Sequence, residues 1–161
     1  MSVNYGRIPS CLGNVSAVGV STGDSNLRAY KIGCTCGSSK QKLLGYLLES
    51  QSLPGEKVFV GPLSIECSSC GNRELFFDSE RHGYDGENGS SVAMSGTGVP
   101  RLWSCPQCDC VIVEIEVRMT YNVEPDEENE ERAEDFFSEV AVVCKCSKCN
   151  GTFNATSINC I

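Results

Sequence analysis

Twelve cysteines in 161 residues constrain this chain more than anything else in it. Ten of them fall into four tight clusters, Cys34-x-Cys36, Cys67-x-x-Cys70, Cys105-x-x-Cys108-x-Cys110 and Cys144-x-Cys146-x-x-Cys149, while Cys11 and Cys160 stand alone. A disulfide framework tends to spread its cysteines along the chain, because closing long loops constrains the unfolded state most. Cysteines two or three positions apart instead suit a metal knuckle, a turn that points both sulfurs at one ion. Apolar residues make up 40% of the chain, but the cysteines are counted among them, so the aliphatic and aromatic stock is thin for one large core. Chains short of core recruit metals or disulfides.

Tetrahedral zinc takes four ligands, commonly as two close pairs from separate turns. The x-x spacing also aims backbone N–H groups at the sulfurs and eases their charge. Gly or Asn directly after the second cysteine supplies the left-handed backbone such turns use. Cys67-Ser-Ser-Cys70-Gly, Cys105-Pro-Gln-Cys108 and Cys146-Ser-Lys-Cys149-Asn-Gly fit this chemistry; Cys34-x-Cys36 is one residue shorter and needs a tighter bend before Gly37. The expected sites are Cys34, Cys36, Cys67 and Cys70 for one Zn²⁺ and Cys105, Cys108, Cys146 and Cys149 for a second. Cys110 and Cys144 then lie on adjoining strands, where they could face each other, either as small core residues or as alternative ligands. A secreted disulfide scaffold and a thiol redox protein are the metal-free alternatives, and iron is chemically compatible with four thiolates.

These knuckles with their flanking strands, roughly 34–78 and 103–155, resemble the zinc-ribbon, or rubredoxin-like, class. The resemblance implies a fold type and nothing more specific. The expected fold is mainly β: two zinc-ribbon-like units in tandem, with one short acidic helix in the second.

Along the chain, 1–26 is rich in Gly, Ser and Asn and reads as an N-terminal arm, loosely held or forming an edge strand. The first unit spans 27–81, with strands expected at 27–33, 42–49, 57–66 and 74–78 around a Pro-Gly turn. Residues 82–98 are Gly/Ser-rich and read as a loop or linker. The second unit spans 99–161. In it, 111–121 alternates apolar and polar residues as a half-buried strand does. From Pro125, acids in a first turn and Ala133, Phe136, Phe137 and Val140 at helical spacing predict the short helix. Residues 139–146 return as a strand. Cys36 to Cys67 is 31 positions and Cys108 to Cys146 is 38, and both second clusters run into a Gly/Asn turn, which points to a weak internal duplication.

The single His of the chain, His82, sits among acids, where an acid/base role is imaginable and a solvated loop histidine is the simpler reading. Four-cysteine sites are closed, whereas a catalytic zinc keeps a position open for water. Gly19 to Gly23 lacks the Lys-Ser/Thr of a phosphate loop. No enzyme is expected. Residues 1–95 carry a net charge of −1 and residues 96–161 one of −7, nine of whose carboxylates lie in 124–139. Two tetrathiolate zinc sites would take the formal −8 to about −12. Such a surface repels phosphate backbones and suits a basic protein partner.

The leading reading is therefore an acidic, zinc-stabilised protein–protein interaction module of adaptor, inhibitor or immunity type. A nucleic-acid-associated zinc ribbon is the first alternative, with Lys40, Lys42, Arg73 and Arg81 as contacts and Trp103 for base stacking. Thiol redox or metal transfer through Cys110 and Cys144 is the second. The first 25 residues are too polar for a convincing export signal and no run is long enough to span a membrane. Four glycosylation sequons, at Asn14, Asn88, Asn150 and Asn154, are compatible with secretion, but the clustered thiols favour a reducing, cytoplasmic location.

Overall fold

The computed structural model describes residues 9–13, 15–20, 23, 26–47, 59–77, 99–121 and 137–159. A 3₁₀ turn (Ser10–Leu12) precedes nine strands: β1 (Ser16–Val20), β2 (Leu27–Gly33), β3 (Gln41–Leu47), β4 (Phe59–Cys67), β5 (Arg73–Phe77), β6 (Arg101–Leu102), β7 (Val113–Thr120), β8 (Glu139–Cys146) and β9 (Thr152–Asn159). All pair antiparallel in one sheet.

The period-two pattern explains why β7 is its spine. Val113, Ile115, Val117 and Met119 are buried, while Glu114, Glu116, Arg118 and Thr120 alternate toward the other face. β8 repeats this with Val140, Val142, Cys144 and Cys146 inward, paired to β7 from Val113↔Cys146 to Thr120↔Glu139. Phe59, Phe76, Phe77, Trp103 and Phe137 fill the core beneath. Burial of these aromatics, together with aliphatic residues such as Ile32, Leu43, Leu63, Ile65 and Ile115, supplies the apolar driving force for folding.

The two halves are laced together. β2 of the first half pairs with β7 of the second, from Leu27↔Thr120 to Ile32↔Ile115. β6 of the second half pairs with β3 of the first through Leu44↔Leu102 and Gly45↔Arg101. β3 and β7 meet at one bridge, Gln41↔Val113.

The arm contributes β1, an edge strand on β2. The 111–121 strand begins two residues later, at Val113, so Cys110 lies in the turn before it and not on a strand. Beyond the Asn150-Gly151 turn, where no separate strand is expected, β9 follows and adds an edge to β8. The body of the acidic helix expected from Pro125, the 82–98 loop, His82, Arg81 and Cys160 lie outside the described residues, but the end of its apolar spacing is not helical: Phe137 precedes β8 and Val140 lies on it. Phe137, at the end of the acidic segment, is core: its ring meets Tyr121 edge-on at 6.4 Å and Phe77 at 6.4 Å. Ser138 donates its N–H and hydroxyl to the Thr120 carbonyl at 2.7 and 3.0 Å, so that segment leaves and rejoins the sheet at one point.

Candidate metal centres

Each of the four knuckles is a strand-ending turn closed by two backbone hydrogen bonds. Cys34 donates its N–H to Ser38 O, Cys67 to Asn72 O, Cys105 to Cys110 O and Cys146 to Gly151 O, at 2.8–3.0 Å. In return the residue after the second cysteine donates to the first cysteine's carbonyl: Gly37 to Cys34, Gly71 to Cys67, Asp109 to Cys105 and Asn150 to Cys146. That residue has a left-handed backbone in every case, with φ of 96°, 76°, 61° and 61° in turn. Gly37, Gly71 and Asn150 announce this in the sequence. Asp109 does not: Asp tolerates the region but is common everywhere.

Within each turn the first sulfur collects amide protons. Ser69 and Cys70 N–H point at Cys67 Sγ (3.4 and 3.5 Å), Lys148 and Cys149 N–H at Cys146 Sγ (3.4 and 3.5 Å), Gln107 N–H at Cys105 Sγ (3.4 Å) and Cys36 N–H at Cys34 Sγ (3.5 Å). The two turns of a site are strapped by a serine. Ser68 donates its N–H and hydroxyl to Lys40 O (3.1 and 2.7 Å), and Ser147 does the same to Ile112 O (3.2 and 2.7 Å).

The straps bring the eight expected cysteines into two tetrads, Cys34/Cys36/Cys67/Cys70 and Cys105/Cys108/Cys146/Cys149, with the sulfurs of each within 4.8 Å of one another. The closest approaches are Cys34–Cys70 at 3.4 Å, Cys36–Cys67 at 3.6 Å, Cys105–Cys149 at 3.6 Å and Cys108–Cys146 at 3.4 Å. A disulfide would need about 2.05 Å. Sulfurs about 2.3 Å from a central ion define a tetrahedron with edges of about 3.8 Å. The constellations match the second geometry closely, and none of the described cysteines is bridged. Either tetrad could hold a metal ion.

The protonation of the sulfurs fits such a role. Amide donation from Cys70 and Ser69 lowers Cys67 from 9.0 to about 6, against burial. Donation from Cys149 and Lys148 does the same for Cys146, also to about 6. The Asn72 amide favours the Cys70 thiolate, but crowding by Cys34, burial and the other sulfurs outweigh it and raise Cys70 to about 12. For Cys108 the Cys110 amide is likewise outweighed, by Cys146, burial, Cys105 and Cys149, giving about 12. Each tetrad thus holds one sulfur ready to ionise and two, Cys36 and Cys70 or Cys108 and Cys149, kept protonated by the crowding of neighbouring sulfurs and by burial. A divalent cation relieves that crowding.

Cys110 and Cys144 do not face each other as a pair. Cys144 is fully buried on β8, opposite Ile115 and Phe153, and burial pushes its thiol up. Cys110 is half-buried, its sulfur 3.6 Å from Ile112 O and 3.8 Å from Ser147 Oγ. Cys11, in the 3₁₀ turn, is also core.

The basic residues singled out for nucleic acid are largely committed: Lys40 to Glu114 (3.4 Å), and Lys42 (3.6 Å) and Arg73 (3.0 Å) both to Glu66. Trp103 is 2% exposed, which removes it as a stacking platform. Among the described residues no helix is long and apolar enough to cross a membrane. No protein-family model, curated protein or solved structure matches this chain.

Proposed function

We infer that both tetrads hold structural Zn²⁺ and that the protein is a non-catalytic, acidic binding module acting on a basic protein partner in a reducing, cytoplasmic setting. One observation carries this reading: two closed sets of four sulfurs at tetrahedral separations, each formed by two turns whose amide protons are aimed at the sulfurs. A site in which the protein fills all four positions has none left for substrate or water. Four soft thiolates suit zinc. What remains for the metal is folding, and an apparent binding free energy of about 10–16 kcal/mol per structural zinc exceeds the stability of many whole domains.

The partner class follows from charge. The second half carries a net −7, most of it in the segment between β7 and β8, and two tetrathiolate zinc sites deepen the total to about −12. Such a field steers a basic surface and repels nucleic acid. Ion-paired Lys40, Lys42 and Arg73 and the buried Trp103 further weigh against the nucleic-acid alternative. The burial of Cys144 weighs against thiol exchange through a Cys110/Cys144 pair.

Metal analysis of the natively purified protein tests the first part, with two zinc per chain expected; native protein with the tetrad sulfurs joined as disulfides would overturn it. For the second part, binding to a basic protein should weaken steeply with salt and on neutralising the acids at 126–135. Affinity indifferent to both would overturn the partner class.

A further inference from the structure

The two halves share one hydrogen-bond register. Cys34 and Cys36 stand 71 and 72 positions before Cys105 and Cys108, and Cys67 and Cys70 stand 79 before Cys146 and Cys149. Applied to the strand ladders, these offsets map Gln41↔Cys67 onto Val113↔Cys146, Lys42↔Glu66 onto Glu114↔Lys145, Leu43↔Ile65 onto Ile115↔Cys144, and Leu44↔Ser64 onto Glu116↔Val143. The Ser68 strap on Lys40 maps onto the Ser147 strap on Ile112.

The pairings between the halves obey the same mapping. Lys31↔Glu116, where β2 meets β7, maps onto Leu102↔Leu44, where β6 meets β3. Ile32↔Ile115 maps onto Trp103 and Leu43, joined by Trp103 N–H to Leu43 O at 2.9 Å. Gln41↔Val113 maps onto itself. A local two-fold relation therefore runs through that bridge, and the exchange is reciprocal: in each half the strand before the first knuckle, β2 or β6, pairs with a strand of the other half.

Cys34 directly follows β2, whose sheet neighbours are β1 and the second half's β7. Cys105 lies two residues beyond Trp103, which is hydrogen-bonded to the first half's β3. In both sites the second knuckle stands on its own half's strands, β4–β5 or β8–β9, while the first knuckle runs from a strand paired to the other half, β2 or β6, into its own half's β3 or β7. Ordering four sulfurs around one ion thus orders the seam on which the other site's first knuckle depends.

Resting on the metal-binding reading above, we propose that the two sites are coupled: an ion in either tetrad raises the affinity of the other, and the chain loads two ions together. Coupling of this kind is reciprocal, and ranges from about 5- to 150-fold in typical proteins. Here it arises because the first ion removes the disorder that the second would otherwise have to remove.

Cobalt(II) titration of the full chain tests this, since a tetrathiolate absorbs distinctively. With one equivalent of cobalt, native mass spectrometry should show mainly the metal-free and two-metal species. In Cys36→Ser/Cys70→Ser the intact second site should bind cobalt at least ~10-fold more weakly than in the wild type, and Cys108→Ser/Cys149→Ser should weaken the first site similarly. A seam variant that keeps every cysteine, Leu102→Pro in β6, guards against simple misfolding of the serine variants: it should bind two ions yet populate the one-metal species. A dominant one-metal species in the wild type, undiminished affinity at the intact site of the double-serine variants, or a seam variant as all-or-none as the wild type would overturn the coupling. Absence of thiolate absorption in the wild type would overturn the metal sites themselves, a different and recognisable failure.

Discussion

The indole of Trp103 packs against the ring of Phe153 at 6.1 Å, tilted by 44°, while its backbone N–H is donated to Leu43. The only tryptophan of the chain is thereby wedged where the halves join, buried from water and two residues from Cys105. Its emission should report the seam. In metal-loaded protein it should be blue, as for an indole in an apolar site. A strong chelator should shift it to the red in step with loss of β-sheet circular dichroism, because metal binding and folding are one equilibrium in such domains. Unchanged emission after complete metal removal would mean that the sheet stands without its ions.

Two glycines beside the knuckles are confined by their surroundings. A Cβ at Gly33 would stand 3.1 Å from Ser38 O, the atom that accepts the Cys34 N–H at the first knuckle. A Cβ at Gly151 would lie 2.8 Å from the Phe153 ring that backs Trp103. Alanine at either position should lower the stability of the metal-loaded protein by about 1–3 kcal/mol, as overpacking does. Gly33→Ala should in addition weaken metal retention at the first tetrad. Gly19, on the edge strand with nothing within 4 Å of its Cβ direction, is the control and should tolerate alanine. Equal melting of the Gly33 and Gly19 variants would contradict the argument.

The left-handed turn residues separate backbone strain from packing. Gly71 has φ of 76° and open space around it, so Gly71→Ala should cost about 1–2 kcal/mol through the backbone alone. Asp109 and Asn150 hold the same conformation with a side chain. Replacing either with glycine should leave stability unchanged or raise it by up to about 1 kcal/mol. Denaturant unfolding of the metal-loaded variants reads these differences, and a clear loss for Asp109→Gly would assign its carboxylate a role beyond the turn.

How far the residues foretold the molecule depends on the range of each signal. The eight tetrad cysteines are legible because knuckle spacing is local, and β7 because Val113, Ile115, Val117 and Met119 alternate without interruption. β9 escapes because Thr152, Asn154, Thr156 and Ser157 dilute the apolar content of an edge strand. The exchange of β2 and β6 is illegible, since it is set by pairings more than 50 residues apart, such as Lys31 with Glu116 and Leu102 with Leu44. The duplication shows faintly because equivalent ladder positions differ in chemistry: Lys42↔Glu66 answers Glu114↔Lys145 with the charges reversed, and Ile65 answers Cys144.

That last equivalence yields a prediction. Cys144 occupies the ladder position that Ile65 fills in the other half, and both are buried. A packing role predicts that Cys144→Val keeps two metals per chain and changes stability by less than about 1.5 kcal/mol, whereas Cys144→Ser buries a hydroxyl and costs about 1–3 kcal/mol. Burial raises the folded-state thiol above its ordinary 9.0, so its contribution is complete below pH 9 and declines as pH rises further, when only the unfolded chain ionises. Loss of one metal in Cys144→Val would make this residue a ligand.

Gln41 carries the most exposed weakness of the seam. It is fully buried at the bridge to Val113, donates Nε2 to Ser38 O at 2.8 Å, and has no partner for Oε1 among the described residues. A cavity of about 10 Å³ adjoins it, lined also by Cys34 and Asn72, close to the lower limit for one water. Its equivalent in the other half is Val113, which does without any polar group. Gln41→Val removes the orphaned acceptor at the loss of one hydrogen bond, and Ser38 O retains the Cys34 N–H. Stability should therefore change by no more than about 1 kcal/mol, and in either direction. Gln41→Glu brings a carboxyl into the same buried site, which Cys34 also lines, and at neutral pH it should cost several kcal/mol and weaken metal retention at the first tetrad. Calorimetric melting of the two metal-loaded variants decides the matter: a Gln41→Val protein destabilised as severely as Gln41→Glu would show that Oε1 is satisfied by an ordered water and that the amide is integral to the seam.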